Sequence, residues 1–212
     1  MEALECIKTR RSVRKFTEQP VTEAEIREVI EAAAYAPSWK NTQIARYIAV
    51  TDKEKKAKLA DDCMMGFAYN QKTTHGAPAL VVLTMVTERS GYERDGSFST
   101  ALGTHWQSFD AGIAAQTFCL AAHAQGLGTV VMGIFDPAEV AKVVDIPEGQ
   151  QVAALIARRR AFACYFCSAL KLDGVDAFLH GLDAYTRQPV RPEAFGARVF
   201  KISRDEKGAR LT

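Results

Sequence analysis

The sequence has little of three features that would place a protein in a class at once: net charge, long apolar runs and paired cysteines. Lysine and arginine number 27 against 25 aspartate and glutamate, so the formal net charge is only +2. A balance so close to neutral provides no field that would favour nucleic acid or an anionic membrane surface. We therefore expect neither nucleic acid nor a membrane as a partner. A charged ligand would have to bind at a local cluster of charged side chains.

Apolar residues are spread along the chain and are not gathered into a span. No segment approaches the roughly 20 apolar residues of a transmembrane helix. The N-terminus is charged from Glu2 onward and lacks the apolar core of a secretory signal. The five cysteines, an odd number, do not form the disulfide framework of a small secreted domain. These absences predict a soluble, cytoplasmic protein whose thiols are mostly reduced core residues.

Hydrophobic patterning predicts one substantial core. With 212 residues and 48% hydrophobic content, the chain is short for two domains, and we expect a single α/β domain. A capping box from Thr22 to Glu25 starts one helix, and Pro37 lies beyond its end. An apolar helix is predicted over residues 104–125, with Gly126 as its C-cap. Strands are predicted at residues 45–51, 79–83, 127–134 and 152–157, and further helices over 52–65 and from 136 onward.

Two polar clusters near the N-terminus are candidates for a ligand site. The first, Arg10-Arg11-Ser12-Val13-Arg14, places three guanidinium groups within five residues, which suits a phosphate or an electron-rich ring edge. A solvated helix end is the ordinary alternative, because the helix dipole favours cations there. The second cluster, residues 36–43, is a loop that delivers hydroxyl, indole and amide groups directly before a strand.

Three more landmarks follow these clusters along the chain. They are Asn70 ahead of the second strand, Asp110-Ala111-Gly112 in the long helix, and Gly126-Leu127-Gly128-Thr129 leading to Met132-Gly133. In this order the five landmarks resemble those of the nitroreductase family of FMN-dependent oxidoreductases, and the resemblance covers residues 1–157. One landmark alone would be a weak signal, whereas five in sequence are not expected by chance.

The resemblance implies an α+β fold with an antiparallel-rich central sheet flanked by helices. It also implies an intertwined homodimer with one FMN at each subunit interface. The apolar helix over residues 104–125 fits this assembly, because it needs more cover than a monomer of this size easily provides. A helix that is merely central in a monomer core is the alternative.

By the same resemblance, the arginine cluster would bind the charged parts of FMN. Arg10, Arg11 and Ser12 would hold the phosphate and ribityl region, and Arg14 would face the N1 and O2 edge of the flavin. Hydride arriving at N5 leaves negative charge at that edge, so a fixed guanidinium would stabilise the reduced flavin.

By the resemblance, two further groups of residues would contact the flavin ring. Asn70 would hydrogen-bond the pyrimidine edge, with Lys72 as an assistant, and the backbone of Met132 and Gly133 would lie near N5 and O4. The isoalloxazine and its dimethylbenzene edge would contact a loop of the other subunit. That loop contributes Pro37, Ser38, Trp39 and Asn41, although Trp39 is equally well explained as an ordinary interface aromatic.

The implied reaction is ping-pong. NADH or NADPH would pass hydride to N5, and a nitroaromatic, quinone or similar small-molecule acceptor would then take the electrons. The flavin carries the chemistry, so no catalytic side chain is assigned. The histidines lack the spacing of metal ligands, and no metal is expected. Alternatives are reductive dehalogenation or flavin fragmentation within the same family, or a flavin-binding protein without turnover.

The resemblance stops after Ala157, and the chain becomes basic. Residues 158–212 hold 11 lysines and arginines against 6 acidic residues, whereas residues 1–157 hold 16 against 19. A change of reading frame would explain so sharp a loss of pattern. A divergent arm, with Arg158 to Arg160 replacing the missing phosphate cations, is a second explanation. A redox or half metal site at Cys164-Tyr165-Phe166-Cys167 is the third. We therefore divide the chain into a nitroreductase-like FMN-binding domain, 1–157, and an atypical C-terminal segment, 158–212.

Overall fold

The structure, a computed structural model, describes residues 1–14, 21–160, 202–205 and 208–211, with side chains described as far as Arg158. Contacts within the chain define two compact units, Met1–Phe162 and Ala163–Thr212. The second unit is described only as an antiparallel pair of short strands, Ile202–Asp205 and Gly208–Leu211. The Cys164–Cys167 motif and the side chains of Arg159 and Arg160 lie outside the described residues.

The first unit alternates helices and strands along the chain. Its helices are α1 (Ala3–Thr9), α2 (Glu23–Ala33), α3 (Lys53–Asp62), α4 (Ala68–Gly76), α5 (His105–Ala124) and α6 (Pro137–Val144). Its strands are β1 (Ala45–Val50), β2 (Ala79–Val86), β3 (Leu127–Met132) and β4 (Gln150–Arg160). A short 3₁₀ turn, Trp39–Asn41, lies in the loop before β1.

The four strands form one sheet in the order β1-β2-β4-β3, and every neighbouring pair is antiparallel. The expectation of an α/β domain was therefore wrong, because alternating helices and strands suggested parallel crossovers that the chain does not make. The α+β fold implied by the resemblance is confirmed. Strand β2 is central, as its unbroken apolar run predicted, and its first six residues are buried.

Helices cover both faces of this sheet, because successive side chains of a strand point to opposite sides. Leu80 and Val82 enter a core on one face, together with side chains from α3 and α6. Val81 and Leu83 enter the core on the other face, where α2 and α5 pack. The two central strands, β2 and β4, are therefore buried on both faces. Strands β1 and β3 form the two edges of the sheet.

Local end signals in the sequence set the helix boundaries. The capping box is present, since Thr22 Oγ1 accepts from Glu25 N at 3.2 Å and Glu25 Oε2 accepts from Thr22 N at 2.8 Å. Gly126 follows α5 with φ of 75°, the left-handed conformation expected of a C-cap. Helix α4 was not predicted, because its sequence is mostly polar and has no apolar stripe. Asn70, which the sequence placed only ahead of the second strand, therefore lies in a helix.

Arg158 is a buried cation near the end of β4. It is fully buried, at 0% exposure, and lies opposite Ala79 and Thr129 on the neighbouring strands. All three guanidinium nitrogens lack a hydrogen-bond partner among the described residues. Burial lowers the pKa of Arg158 to about 10, against a smaller opposing effect of Glu25. A buried charge without hydrogen bonds is destabilising, so this position is suited to an apolar side chain.

We expect Arg158→Leu to stabilise the protein. Removing a buried, unpaired polar group should raise the free energy of unfolding by about 1–3 kcal/mol, as measured by urea denaturation. Arg46→Leu is the matched control, because Arg46 also lies on a strand but is exposed. Its effect should stay within about 0.5 kcal/mol. A loss of stability in Arg158→Leu would mean instead that the guanidinium has a partner outside the described residues.

Candidate functional site

The N-terminal arm, residues 10–14, lies along the edge strand β3. Ser12 forms a parallel bridge with Thr129, and Val13 N donates to the Thr129 carbonyl at 2.9 Å. Helix α1 is fixed just before the arm, since Cys6 Sγ donates to the Leu120 carbonyl of α5 at 3.4 Å. The main chain of the arm is therefore held against the sheet, while Arg10 caps the C-terminus of α1 and the side chains of Arg11 and Arg14 are exposed.

Gly128 allows this close approach. A Cβ at position 128 would lie 2.8 Å from both Cβ and Cγ2 of Val13, which is closer than real Cβ atoms come to a neighbour. Its backbone φ is not positive, so space and not conformation explains the glycine. The sequence analysis marked Gly128 as part of a landmark but did not predict this contact.

The three arginines of the arm form no ion pair with a carboxylate within the described part of the chain. Arg11 donates only to main-chain carbonyls, at 2.6 Å and 2.8 Å, and Arg14 lies 3.5 Å from the carbonyl of Ser12. Arg10 and Arg11 act on the nearby His123, whose pKa is lowered first by burial and then by these two charges, against a smaller opposing effect of Glu5. This end of the site is therefore electropositive and suited to an anion.

A different set of groups lies at the other end of β3. Asn70 on α4 donates from Nδ2 to the Ile134 carbonyl at 2.9 Å, which fixes α4 beside the segment following the strand. Gly133 is exposed, and a Cβ there would meet no atom within 4 Å. The Met132 side chain is buried in the core, so only its backbone can serve a ligand. Lys72 is exposed on α4.

These groups are arranged in a line. The arm runs parallel to β3, so Arg14 lies further toward Met132 than Ser12 does. Six residue steps separate Leu127 from Gly133, about 20 Å at the usual rise of a strand. Val131 and Ile134 expose 46% and 42% of their surface near the far end. The line suits an elongated ligand with an anionic group at one end and a flat, hydrogen-bonding head at the other, and FMN fits that description.

The loop over residues 36–43 lies elsewhere in the subunit. It leads into β1, which is the opposite edge of the sheet from β3. Three strand spacings separate these edges, about 14 Å. The structure thus places Arg10 to Arg14 beside β3, and Met132 and Gly133 at the far end of that strand, where Asn70 bonds the Ile134 carbonyl. Lys72 shares α4 with Asn70, and no contact places its side chain at the site within the described residues. Pro37, Ser38, Trp39 and Asn41 lie at the opposite edge of the sheet.

Inside the subunit, the loop is held by aromatic packing and by a buried carboxylate. The rings of Trp39 and Trp106 lie 4.2 Å apart between centroids. The backbone N–H of Trp39 donates to the carboxylate of Asp110, which also accepts from Ser90. The sequence marked Asp110 as a landmark but gave it no role, and Ser90 carried no signal.

No helix in the described ranges is both long and apolar enough to cross a membrane. Among the same residues, no group of three or more histidine, cysteine or acidic side chains could hold a metal ion.

The fold and site together define an α+β protein with an elongated candidate site along one sheet edge, electropositive at one end. The sequence profile of the nitroreductase family matches residues 7–157. The chain belongs to the nitroreductase family.

Named relatives are similar over the same region. NADPH-flavin oxidoreductase of Vibrio harveyi is 32% identical over 156 residues, which are 70% of this chain and 61% of that protein. FMN reductase [NAD(P)H] of Bacillus subtilis is 30% identical, over 69% of this chain and 61% of that protein. The chain thus spans about three fifths of the length of these two relatives. A putative nitroreductase of Desulfovibrio desulfuricans, solved in complex with FMN, matches with a TM-score of 0.59 and 25% identity, covering 74% of this chain and 85% of that one.

We expect Gly128→Ala to release the arm from β3. The added Cβ would collide with Val13, so the Val13 amide should lose its bond to Thr129 and exchange its hydrogen roughly fivefold faster or more. Gly112→Ala is the matched control, because a Cβ there meets no atom within 4 Å. Hydrogen exchange followed by NMR measures both. An unchanged Val13 amide in Gly128→Ala would show that the close approach does not restrain the arm.

Proposed function

We propose that this protein is an FMN-dependent oxidoreductase that takes hydride from NADH or NADPH. It passes the electrons to a small-molecule acceptor, such as a nitroaromatic or a quinone, in a ping-pong cycle. The observation that carries the proposal is the arginine arm beside β3, whose guanidinium groups form no ion pair within the described residues, with Gly133 and Asn70 at the far end of the strand. The names of the two relatives, a flavin oxidoreductase and an FMN reductase, support it.

The N-terminal arm would bind the anionic end of FMN. Arg10 and Arg11 would meet the phosphate, because guanidinium groups pair with phosphate oxygens through two parallel hydrogen bonds. Ser12 would add its hydroxyl toward the ribityl chain. The pairing with Thr129 orders this arm in advance, which reduces the entropy lost on binding.

The other end would hold the flavin ring. When bound, FMN supplies the hydride chemistry that the protein side chains lack. Arg14 would stabilise negative charge at the N1 and O2 edge, Asn70 and exposed Lys72 would serve the pyrimidine edge, and the backbone of Met132 and Gly133 would approach N5 and O4. The open space above Gly133 supports this assignment, since a side chain would occupy it.

We propose a homodimer in which the loop of one subunit completes the site of the other. Loop and arm lie at opposite edges of one subunit's sheet, so Pro37, Ser38, Trp39 and Asn41 would reach a flavin only in a second copy. Large apolar side chains in the same part of the subunit as the loop support an interface. They are Phe98, Leu102 and Phe109, which expose 57%, 52% and 59% of their surface.

We also propose that the chain leaves its family pattern through a change of reading frame at about residue 158. The family match ends at Ala157, and Arg158, the next residue, is a buried cation with no hydrogen bond in the described structure. Both observations favour this explanation over a divergent arm. Intact mass and resequencing of the source DNA test it, and we expect an insertion or deletion near this codon. An intact gene that encodes residues 158–212 would refute the frame change.

The absorption spectrum of the purified protein tests the proposed function. We expect flavin bands at about one FMN per subunit, in a particle with the mass of a dimer. Anaerobic NADH or NADPH should bleach the bands, and a quinone should restore them. A colourless protein that cannot be reconstituted with FMN would refute the proposal. Bound FMN that no nicotinamide reduces would leave a flavin-binding protein without turnover.

FMN affinity and the flavin reduction potential, measured for Arg14→Ala by the same absorption bands, test the role of the arm. We expect weaker FMN binding or a lower flavin reduction potential, because a cation beside the reduced ring is lost. Arg27→Ala is the control, since Arg27 is exposed on α2 and pairs only with Glu23 at 3.2 Å in the described structure. Unchanged affinity and potential in Arg14→Ala would remove its assigned role.

A further inference from the structure

The loop before β1 has an unfavourable backbone. Lys40, Asn41 and Gln43 have φ angles of 44°, 55° and 48°, in the left-handed region that residues other than glycine avoid. Such residues persist where the surrounding structure holds them in place, and they concentrate at ligand sites. The groups that hold this loop therefore decide whether its side chains keep a ligand-binding arrangement.

The buried carboxylate of Asp110 is the main anchor. Trp39 N donates to Asp110 Oδ1 at 3.1 Å and to Oδ2 at 2.9 Å, and Ser90 Oγ donates to Oδ2 at 2.6 Å. Asp110 is only 3% exposed and Ser90 is fully buried. Hydrogen bonds to an ionised carboxylate away from water are among the strong ones. The carboxylate thus ties the loop backbone to the rigid helix α5.

Apart from the packing of Trp39 on Trp106, the other contacts of the loop are local or exposed. Ser38 Oγ accepts from Gln43 N at 2.8 Å, which closes the loop on itself. Lys40 Nζ pairs with Glu93 at 2.7 Å, but both side chains are about half exposed, so water and salt weaken this pair. Within the described residues, Asp110 is the only charged side chain that joins the loop to the interior of the domain.

We propose that Asp110 is a positioning residue for the flavin site. Through Trp39 N, it holds the loop so that Ser38 and Asn41 keep the arrangement in which they contact FMN bound by a second copy of the chain. This inference rests on the proposed function. Asp110 would act through the loop and would not touch the flavin, so its contribution is to keep the binding-competent arrangement populated.

The test uses Asp110→Asn in the full-length chain, which keeps the shape of the side chain and removes its charge. We expect faster hydrogen exchange at the Trp39 amide and roughly tenfold weaker FMN binding, because a smaller fraction of loops is competent. The visible circular dichroism of bound FMN should also change. Asp61→Asn is the control, since Asp61 is an exposed aspartate that pairs with His75; it should alter none of the three.

Ser90→Ala covers the case in which Asp110→Asn fails to fold. It keeps the carboxylate and removes one donor, so we expect the same three changes at a smaller size. FMN affinity and circular dichroism equal to wild type, in whichever variant folds, would overturn the positioning role even if stability falls. Failure of the wild-type protein to bind FMN would refute the proposed function itself, and exchange at the Trp39 amide would still report whether Asp110 orders the loop.

Discussion

The pairing of β2 with β4 is the interaction on which the rest of the domain depends. It extends from Ala79 opposite Arg158 to Val86 opposite Gln150, with one irregularity after Leu83. Both strands bury both faces, so each face needs its own layer of helices. This requirement places α2 and α5 on one side and α3 and α6 on the other. The edge strands β3 and β1 then contact the two segments of the candidate site: the N-terminal arm lies beside β3, and the loop over residues 36–43 leads into β1.

The two edges differ in how their segments are held. At β3, the arm is fixed by main-chain pairing and by the absence of a side chain at Gly128. At β1, the preceding loop is fixed by a side chain, Asp110, that reaches it from α5. The arm therefore depends on a position without a Cβ, whereas the loop depends on the carboxylate of a residue distant in the sequence. Each edge is thus sensitive to substitution at one position outside its own segment, Gly128 for the arm and Asp110 for the loop.

Features encoded over a few residues could be predicted from the sequence. The capping box at Thr22, the glycine cap at Gly126 and the apolar run of β2 each specify their own structure, and the structure confirms them. Contacts between distant parts of the chain could not be predicted. Asp110 lies 71 positions from Trp39, and nothing local in either segment indicates the bond. Helix α4 was missed for another reason: it is held by its neighbours and has no apolar stripe of its own.

The position of the arm beside β3 also matters for aggregation through the edge of the sheet. An edge strand offers unpaired N–H and C=O groups to any other extended chain. Here Val13 N occupies the Thr129 carbonyl, and three neighbouring arginines add positive charge beside this edge. The arm, which is proposed to bind the ligand, thus also occupies a carbonyl of the edge strand that another extended chain could pair with. Evolution of the arm for a new ligand would be limited by the need to keep β3 covered.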